Sequence, residues 1–231
     1  IALDHMHEYD IPGVALAVVR DGEVIHEDGI GLANVATSHP AGPRTAWPIC
    51  SLTKSMTCTA VMQLVEQGLV DITRPVETYL PSWRVKDRDA GPQITVKMLM
   101  HHGSGLGRVG FQDRVRQESV NPYPTRESLM EAITTADLQS EPGRFWAYSN
   151  EGFATLGHLV ETVSGIPLEE YCLTRMFEPL RMTDTRVHIA DWRSAGGRVV
   201  NYIRTELGER PDGDTHGQYQ PGLLREDYQT Y

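Results

Sequence analysis

The 231-residue sequence is 40% hydrophobic and 23% charged, a composition typical of an ordinary globular protein that can bury a full core. Its formal net charge of -10 argues against nucleic acid or an anionic membrane as partner, since either would require a clustered basic face. No apolar run approaches the about 20 residues of a membrane-spanning helix, so we expect a soluble protein without a membrane span. The sequence opens at Ile1 without signal-peptide features, and a targeting segment could already have been removed. Periplasmic, secreted and cytoplasmic locations therefore all stay open.

The three cysteines, Cys50, Cys58 and Cys172, have no metal-type spacing. If Cys50 and Cys58 share one helix, they lie roughly 12 Å apart along its axis, too far for a disulfide. We therefore expect three free thiols.

The first fifth of the chain is predicted to form a helix and a β-hairpin. Apolar residues recur at helical spacing over residues 2–9, and residues 13–20 form a continuous apolar, β-branched run. Asp21-Gly22 is a strong hairpin signal, after which residues 23–32 resume a strand. Because residues 14–19 are apolar on both faces, we expect this strand to be well buried.

The middle of the chain is predicted to be mostly helical. A helix begins at Ser51 and ends at Gly68, and shorter helices are expected behind Thr95 and Thr125. Further helices are predicted over residues 150–164 and 168–177. After Ala195 the periodicity is lost, and no element is assigned there.

Ser51 and Lys54 form the first candidate for chemistry. Residues three apart on a helix face the same side, so the hydroxyl and the amine can touch. Backbone N–H groups at a helix start can stabilise an oxyanion, and burial of a lysine favours the neutral amine that accepts a proton. The alternative is that Ser51 only caps the helix and that Lys54 is solvated.

Tyr148 and Asn150 form the second candidate, on the loop that opens the helix of residues 150–164. A phenol can relay a proton when a cation is near, and a carboxamide can both donate to and accept from a substrate amide. The alternative is a turn in which Asn150 caps the helix.

Other polar residues give weaker signals. His101-His102 lacks further residues at metal-ligand spacing, so we expect no metal. Ser104 does not lie in a Gly-x-Ser-x-Gly motif, and we expect it in a loop beside the cleft. Arg108 and Gln112 follow and could reach a substrate, although an exposed arginine is usually only solvated.

Four segments together resemble the β-lactamase-related family, which includes class C β-lactamases, D-alanyl-D-alanine carboxypeptidases, D-aminopeptidases and esterases. They are residues 49–57 (ICSLTKSMT), 94–106 (ITVKMLMHHGSGL), 148–150 (YSN) and 177–185 (FEPLRMTDT). The resemblance implies that Ser51 forms the acyl-enzyme, Lys54 is the general base or its electrostatic helper, Tyr148 shuttles a proton and Asn150 orients the substrate. The Ser51 backbone N–H would supply half of the oxyanion hole.

The resemblance also implies an α/β (α+β) fold of the β-lactamase/penicillin-binding type, with an antiparallel sheet flanked by helices and a mostly helical subdomain. Residues 1–47 would start the α/β subdomain, residues 48–190 would form the helical subdomain with the active site, and residues 191–231 are an unassigned tail that begins the return to the sheet. The family's third motif, a Lys or His followed by a small residue and Gly, is missing. His216-Gly217 is the nearest approach, one residue too short.

The sequence thus predicts a cofactor-free serine hydrolase that cleaves a short-chain ester, a D-amino-acid peptide or a β-lactam through an acyl-enzyme on Ser51. Esters and peptides are preferred over β-lactams, and the oligomeric state is open. Because the third motif and the strands around it are missing, we expect either a fragment or a short form. The alternative function is a truncated or non-catalytic penicillin-binding-like scaffold that acts as a binding module.

Overall fold

The computed structural model describes residues 2–107, 126–187, 199, 202–209 and 215–221, the last two segments as backbone strands. These residues divide into two compact units, one built on residues up to 48 together with the two late strands, the other on residues 49–187. Among the described residues, none of the helices is long and apolar enough to cross a membrane.

In the part of the first unit that the structure describes, there are one short helix and five strands. They are α1 (Ala2–Glu8), β1 (Gly13–Arg20), β2 (Glu23–Asn34), β3 (His39–Pro40), β4 (Tyr202–Glu209) and β5 (Thr215–Pro221). Strands β1, β2 and β3 form an antiparallel sheet in that order, and β4 pairs with β5 in a second antiparallel sheet. The predicted helix and the hairpin around Asp21-Gly22 are confirmed.

The prediction that β1 is well buried is wrong for the described structure. Only Gly13 at its start is buried, and Val19 is 62% exposed. A strand that is apolar on both faces becomes buried when both faces are covered and both edges are paired. Among the described strands β1 pairs with β2 alone, so it is an edge strand of the sheet.

The second unit is mostly helical, as expected. Its helices are α2 (Thr53–Glu66), α3 (Val96–Met100), α4 (Arg126–Thr135), α5 (Asn150–Ser164) and α6 (Leu168–Cys172), with 3₁₀ turns at Cys50–Leu52, Val76–Thr78 and Gly91–Gln93 and a π-helical turn at Leu173–Phe177. The apolar faces of α2 and α5 supply much of one core, to which Leu64 and Leu156 contribute fully buried side chains. This core fixes α2 and α5, the helices that begin beside Ser51 and Tyr148.

The helix ends follow the sequence signals. The Thr95 hydroxyl accepts a hydrogen bond from the Met98 N–H at the start of α3. Gly68 lies just beyond the end of α2 with φ of +71°, in the left-handed region that glycine adopts without strain. The start of α3 behind Thr95 and the end of α2 before Gly68 are therefore confirmed, whereas α2 begins at Thr53, after the 3₁₀ turn that contains Ser51.

The hairpin of β4 and β5 was not predicted. Its strands are joined by residues 210–214, which include Asp212-Gly213, and Glu209 pairs with Thr215. A connection of five residues with a glycine is a hairpin signal, but charged residues interrupt the strand pattern in β4. His216, the nearest approach to the third motif, lies on β5 opposite Gly208. Of the tail of residues 191–231, which was expected to begin the return to the sheet, residues 191–198, 200–201, 210–214 and 222–231 lie outside the described residues.

Candidate active site

Ser51 lies in the 3₁₀ turn of Cys50–Leu52 that leads directly into α2. Its Oγ is 3.2 Å from the Lys54 Nζ, which donates a hydrogen bond to it. Leu52 occupies the N-cap position of α2, and no side chain caps this helix. The alternative interpretation of Ser51 as the helix cap is therefore wrong.

Tyr148 contacts the same hydroxyl, although it lies far from Ser51 in the sequence. Its phenolic oxygen is 2.6 Å from the Ser51 Oγ, although 97 positions separate the two residues. The Lys54 Nζ lies over the Tyr148 ring, 4.8 Å from the ring centroid. The fold thus brings Ser51, Lys54 and Tyr148 into mutual contact.

Lys54 is half-buried rather than fully solvated. Its Nζ faces the rings of both Tyr148 and Phe153, with 5.5 Å to the Phe153 centroid. The faces of aromatic rings attract an ammonium group, so the two rings hold the amine beside Ser51. The solvated alternative for Lys54 does not describe this environment.

Asn150 is the first residue of α5, but it does not cap the helix. Ser149 is the N-cap, and its hydroxyl oxygen accepts from the Gly152 N–H at 3.0 Å. The Ser149 hydroxyl lies 3.3 Å from a carboxylate oxygen of the buried Glu151, to which it donates. The Asn150 carboxamide is therefore not needed to cap the helix.

Main-chain hydrogen bonds join the loop after α3 to the segment before Tyr148. The carbonyls of His102, Gly103 and Gly105 accept from the N–H groups of Ala147, Gly143 and Gln139, at 2.8, 2.7 and 2.8 Å. We call these three bonds the loop ladder. The loop ladder fixes the segment that carries Tyr148 relative to α3.

His102 belongs to this site, which the sequence did not indicate. Its Nδ1 accepts from the Ser149 N–H at 3.1 Å, and its ring centroid lies 4.5 Å from that of Tyr148. Burial, followed by the nearby Lys54 and His101 charges, lowers the pKa of His102 below the ordinary histidine value. The neutral imidazole that these effects favour is the form that can accept at Nδ1.

The neighbouring nucleophiles differ in access. Ser104 is fully buried and its hydroxyl oxygen accepts from the Leu106 N–H, so it lies within the loop rather than on its surface. The three cysteines are free thiols, as predicted. Burial raises the pKa of the Cys172 thiol to about 11 and also raises that of Cys58. Cys50, which precedes Ser51, is exposed.

Two further predictions concern a metal and two loop residues. Within residues 2–107 and 126–187, no three or more His, Cys, Asp or Glu side chains are grouped as a metal site would require. Arg108 and Gln112, the candidates for substrate contact, lie outside the described residues.

A serine hydroxyl within hydrogen-bond distance of both an amine and a phenol is suited to nucleophilic attack. Either neighbour can take the hydroxyl proton, and the other can return one to a leaving group. Comparison with known proteins gives this arrangement its context, because a model of the Beta-lactamase family matches residues 2–220. The chain belongs to the beta-lactamase family.

Individual proteins match this chain at moderate identity. The PbpX protein of Bacillus subtilis (strain 168) is 29% identical over 181 residues, which are 78% of this chain and 42% of that protein. The octameric penicillin-binding protein homologue from Pyrococcus abyssi has a TM-score of 0.78 at 28% identity, covering 98% of this chain and 50% of that one. D-amino acid amidase from Ochrobactrum anthropi SV3 has a TM-score of 0.75 at 25% identity, covering 95% and 61%.

These likenesses confirm the predicted α+β fold of the beta-lactamase and penicillin-binding type. They also confirm the resemblance from which that fold was predicted. The chain spans 42% of the length of PbpX and half of the Pyrococcus chain.

Proposed function

We propose that this member of the beta-lactamase family is a serine acyl hydrolase that acts through a covalent acyl-enzyme on Ser51. The observation that carries the proposal is the pair of short contacts made by one hydroxyl, 2.6 Å to the Tyr148 phenol and 3.2 Å to the Lys54 amine. A binding module has no physical need for this arrangement.

In the proposed acylation, the Ser51 Oγ forms a bond to the substrate carbonyl carbon as its proton passes to whichever neighbour is deprotonated, Lys54 or Tyr148. The bond to the leaving group then breaks, and the leaving group receives a proton through Tyr148. Water next attacks the Ser51 ester, releasing the acid and restoring the serine hydroxyl. Each step needs one proton carrier beside the Oγ, and Lys54 and Tyr148 are both within reach.

Asn150 and the Ser51 backbone are assigned supporting roles. With Ser149 capping α5, we propose that the Asn150 carboxamide orients a substrate carbonyl or amide. The Ser51 N–H, in the turn that opens α2, would donate to the developing oxyanion.

The direct test is labelling with a fluorophosphonate probe, followed by intact mass measurement and mapping of the modified peptide. We expect one probe per chain on Ser51 and no labelling of the Ser51→Ala variant, because the Ser51 hydroxyl is within hydrogen-bond distance of both Lys54 and Tyr148. Labelling that persists in Ser51→Ala would refute the nucleophile assignment.

The exposed Cys50 thiol beside Ser51 makes a matched control necessary. Cys50→Ala should label as the wild type does, whereas a loss of labelling in Cys50→Ala alone would identify the thiol as the reactive group. Ser104 is a weaker rival because it is fully buried.

For the substrate class we propose an uncharged ester with an apolar part. Exposed apolar side chains lie close in sequence to Ser51 and Tyr148. Leu52 and Trp146 are each 68% exposed, and Phe145 is 63% exposed. The Trp146 ring lies 6.2 Å from the Tyr148 ring, between centroids. Exposed apolar side chains beside a nucleophile favour an apolar ligand over a charged one.

We therefore expect a preference for p-nitrophenyl butyrate over the acetate of up to about fifteenfold in kcat/KM, since butyrate adds two CH₂ groups and each buried CH₂ contributes about 0.8 kcal/mol. Trp146→Ala should reduce this preference. Leu180→Ala, which removes a side chain exposed to a similar extent, 69%, should leave it unchanged. Equal preferences in the wild type and Trp146→Ala would exclude Trp146 from substrate binding.

A further inference from the structure

His102 holds the main chain on both sides of Tyr148. Its backbone carbonyl accepts from the Ala147 N–H at 2.8 Å, and its Nδ1 accepts from the Ser149 N–H at 3.1 Å. Tyr148 is the residue between these two anchors. Through them, one histidine fixes the backbone from which the phenol reaches the Ser51 Oγ.

The imidazole also packs against the aromatic side chains around the site. Its ring centroid lies 4.5 Å from that of Tyr148, 5.0 Å from that of Phe153 and 5.6 Å from that of Trp146. Tyr148 and Phe153 are the rings that face the Lys54 ammonium. A shift of His102 would therefore displace the Tyr148 phenol and the two rings that face the Lys54 Nζ.

The backbone of His102 adopts φ of +62°, which is uncommon for a residue other than glycine. This conformation turns the chain at the end of α3, between His101 and Gly103. A strained residue in a functional loop persists when the surrounding contacts determine it, and here those contacts lead to Tyr148.

We propose that His102 is a positioning residue that holds Tyr148 against Ser51 during acylation. This proposal rests on the proposed function, since it concerns the same acylation step. His102 does not touch the Ser51 hydroxyl in the described contacts and acts through the backbone and ring of Tyr148.

The hydrogen bond at Nδ1 makes the positioning depend on pH. Nδ1 can accept only when it carries no proton, so a doubly protonated imidazolium would lose the bond to Ser149. Within the described part of the chain, the titratable groups around the ring are Lys54 from α2, His101 beside it and Tyr148 from the loop before α5. The titratable group that α5 contributes is the Glu151 carboxylate, which accepts a hydrogen bond from the Ser149 hydroxyl.

These surroundings keep the pKa of His102 below its ordinary value, so the neutral form prevails at pH 7. Because this pKa is lowered, the bond is intact above the ordinary histidine value of about 6.5 and is lost as pH falls through the lower value of the folded protein. Acylation should weaken over that acidic range.

Two substitutions at position 102 separate the acceptor from the backbone conformation. Asparagine and glycine both tolerate positive φ, but only asparagine keeps an acceptor near the position of Nδ1. The rate of fluorophosphonate acylation should fall about tenfold in His102→Gly, as expected for the loss of a positioning hydrogen bond. His102→Asn should recover most of the rate. His101→Asn, a substitution of the exposed neighbour, should acylate as the wild type does.

The pH profile supplies a readout that a purely structural role would not change. The wild-type rate should fall in acid as His102 is protonated, whereas His102→Asn should keep its rate to lower pH. Equal rates in wild type and His102→Gly, or coincident pH profiles of wild type and His102→Asn, would overturn the positioning role. If His102→Gly does not fold, the pH profiles of the wild type and His102→Asn alone decide whether His102 is a positioning residue. Absence of acylation at Ser51 in the wild type would instead refute the proposed function itself.

Discussion

Replacing Lys54 with methionine, or Tyr148 with phenylalanine, should slow acylation of Ser51 by about a hundredfold or more. Both side chains contact the hydroxyl that must lose its proton, so each substitution removes a proton carrier from the reacting atom. The measurement is the pseudo-first-order rate of fluorophosphonate labelling, together with the thermal midpoint of each variant. Lys86→Met and Tyr9→Phe, at exposed positions, are the matched controls and should acylate normally.

The double variant gives the sharper result. Lys54 lies over the Tyr148 ring and both share one hydroxyl, so they should act as a unit rather than as independent groups. Once the first is removed, removal of the second should cost little more. A double variant slowed by the product of the two single effects would contradict this coupling.

The local part of the site could be predicted from sequence because helical geometry determines it. Ser51 and Lys54 are three residues apart at a helix start, and this spacing alone brings their side chains to one face. The partnership with Tyr148 was different in kind, because 97 positions separate it from Ser51. No periodicity reports such a contact, and the family resemblance indicated it.

His102 was missed because its role depends on main-chain hydrogen bonds and on a positive φ. The histidine pair was considered as a metal site and rejected, and no other role was predicted for it, whereas the structure uses the His102 ring as an acceptor for a backbone N–H. Similarly, the alternative interpretation that Asn150 caps the helix is wrong, because Ser149 is the N-cap of α5. Serine and asparagine cap helices about equally well, so the choice between adjacent candidates is decided by the fold.

In the first unit, the apolar pattern predicted the bounds of the first two strands better than it predicted their burial. Strand β1 has its predicted bounds, yet Val19 is exposed, since burial depends on elements far away in the sequence. For the hairpin of β4 and β5 no strand was predicted at all, because charged residues interrupt the apolar pattern of β4, yet the two strands pair. In both cases strand pairing, which is non-local, decided the outcome.

The strongest expected effect on stability is at Gly105, in the loop ladder. Gly105 has φ of +80°, and a Cβ there would lie 2.2 Å from the Ser140 carbonyl oxygen. Gly105→Ala therefore combines left-handed strain of about 1–2 kcal/mol with a steric clash that typically costs about 1–3 kcal/mol more. We expect it to lower the free energy of unfolding by about 3 kcal/mol or more.

Gly68→Ala is the matched control for this substitution. Gly68 has a similar φ of +71°, but a Cβ there would meet nothing within 4 Å. It should therefore show the strain alone, about 1–2 kcal/mol, in denaturant unfolding. Gly105→Ala should also slow acylation, because the Gly105 carbonyl accepts from Gln139 in the ladder that leads to Tyr148, whereas Gly68→Ala should not. Equal destabilisation by the two variants would mean that the close approach at Gly105 is absent, and unchanged acylation in Gly105→Ala would mean that the bond from Gln139 to Gly105 does not help to fix Tyr148.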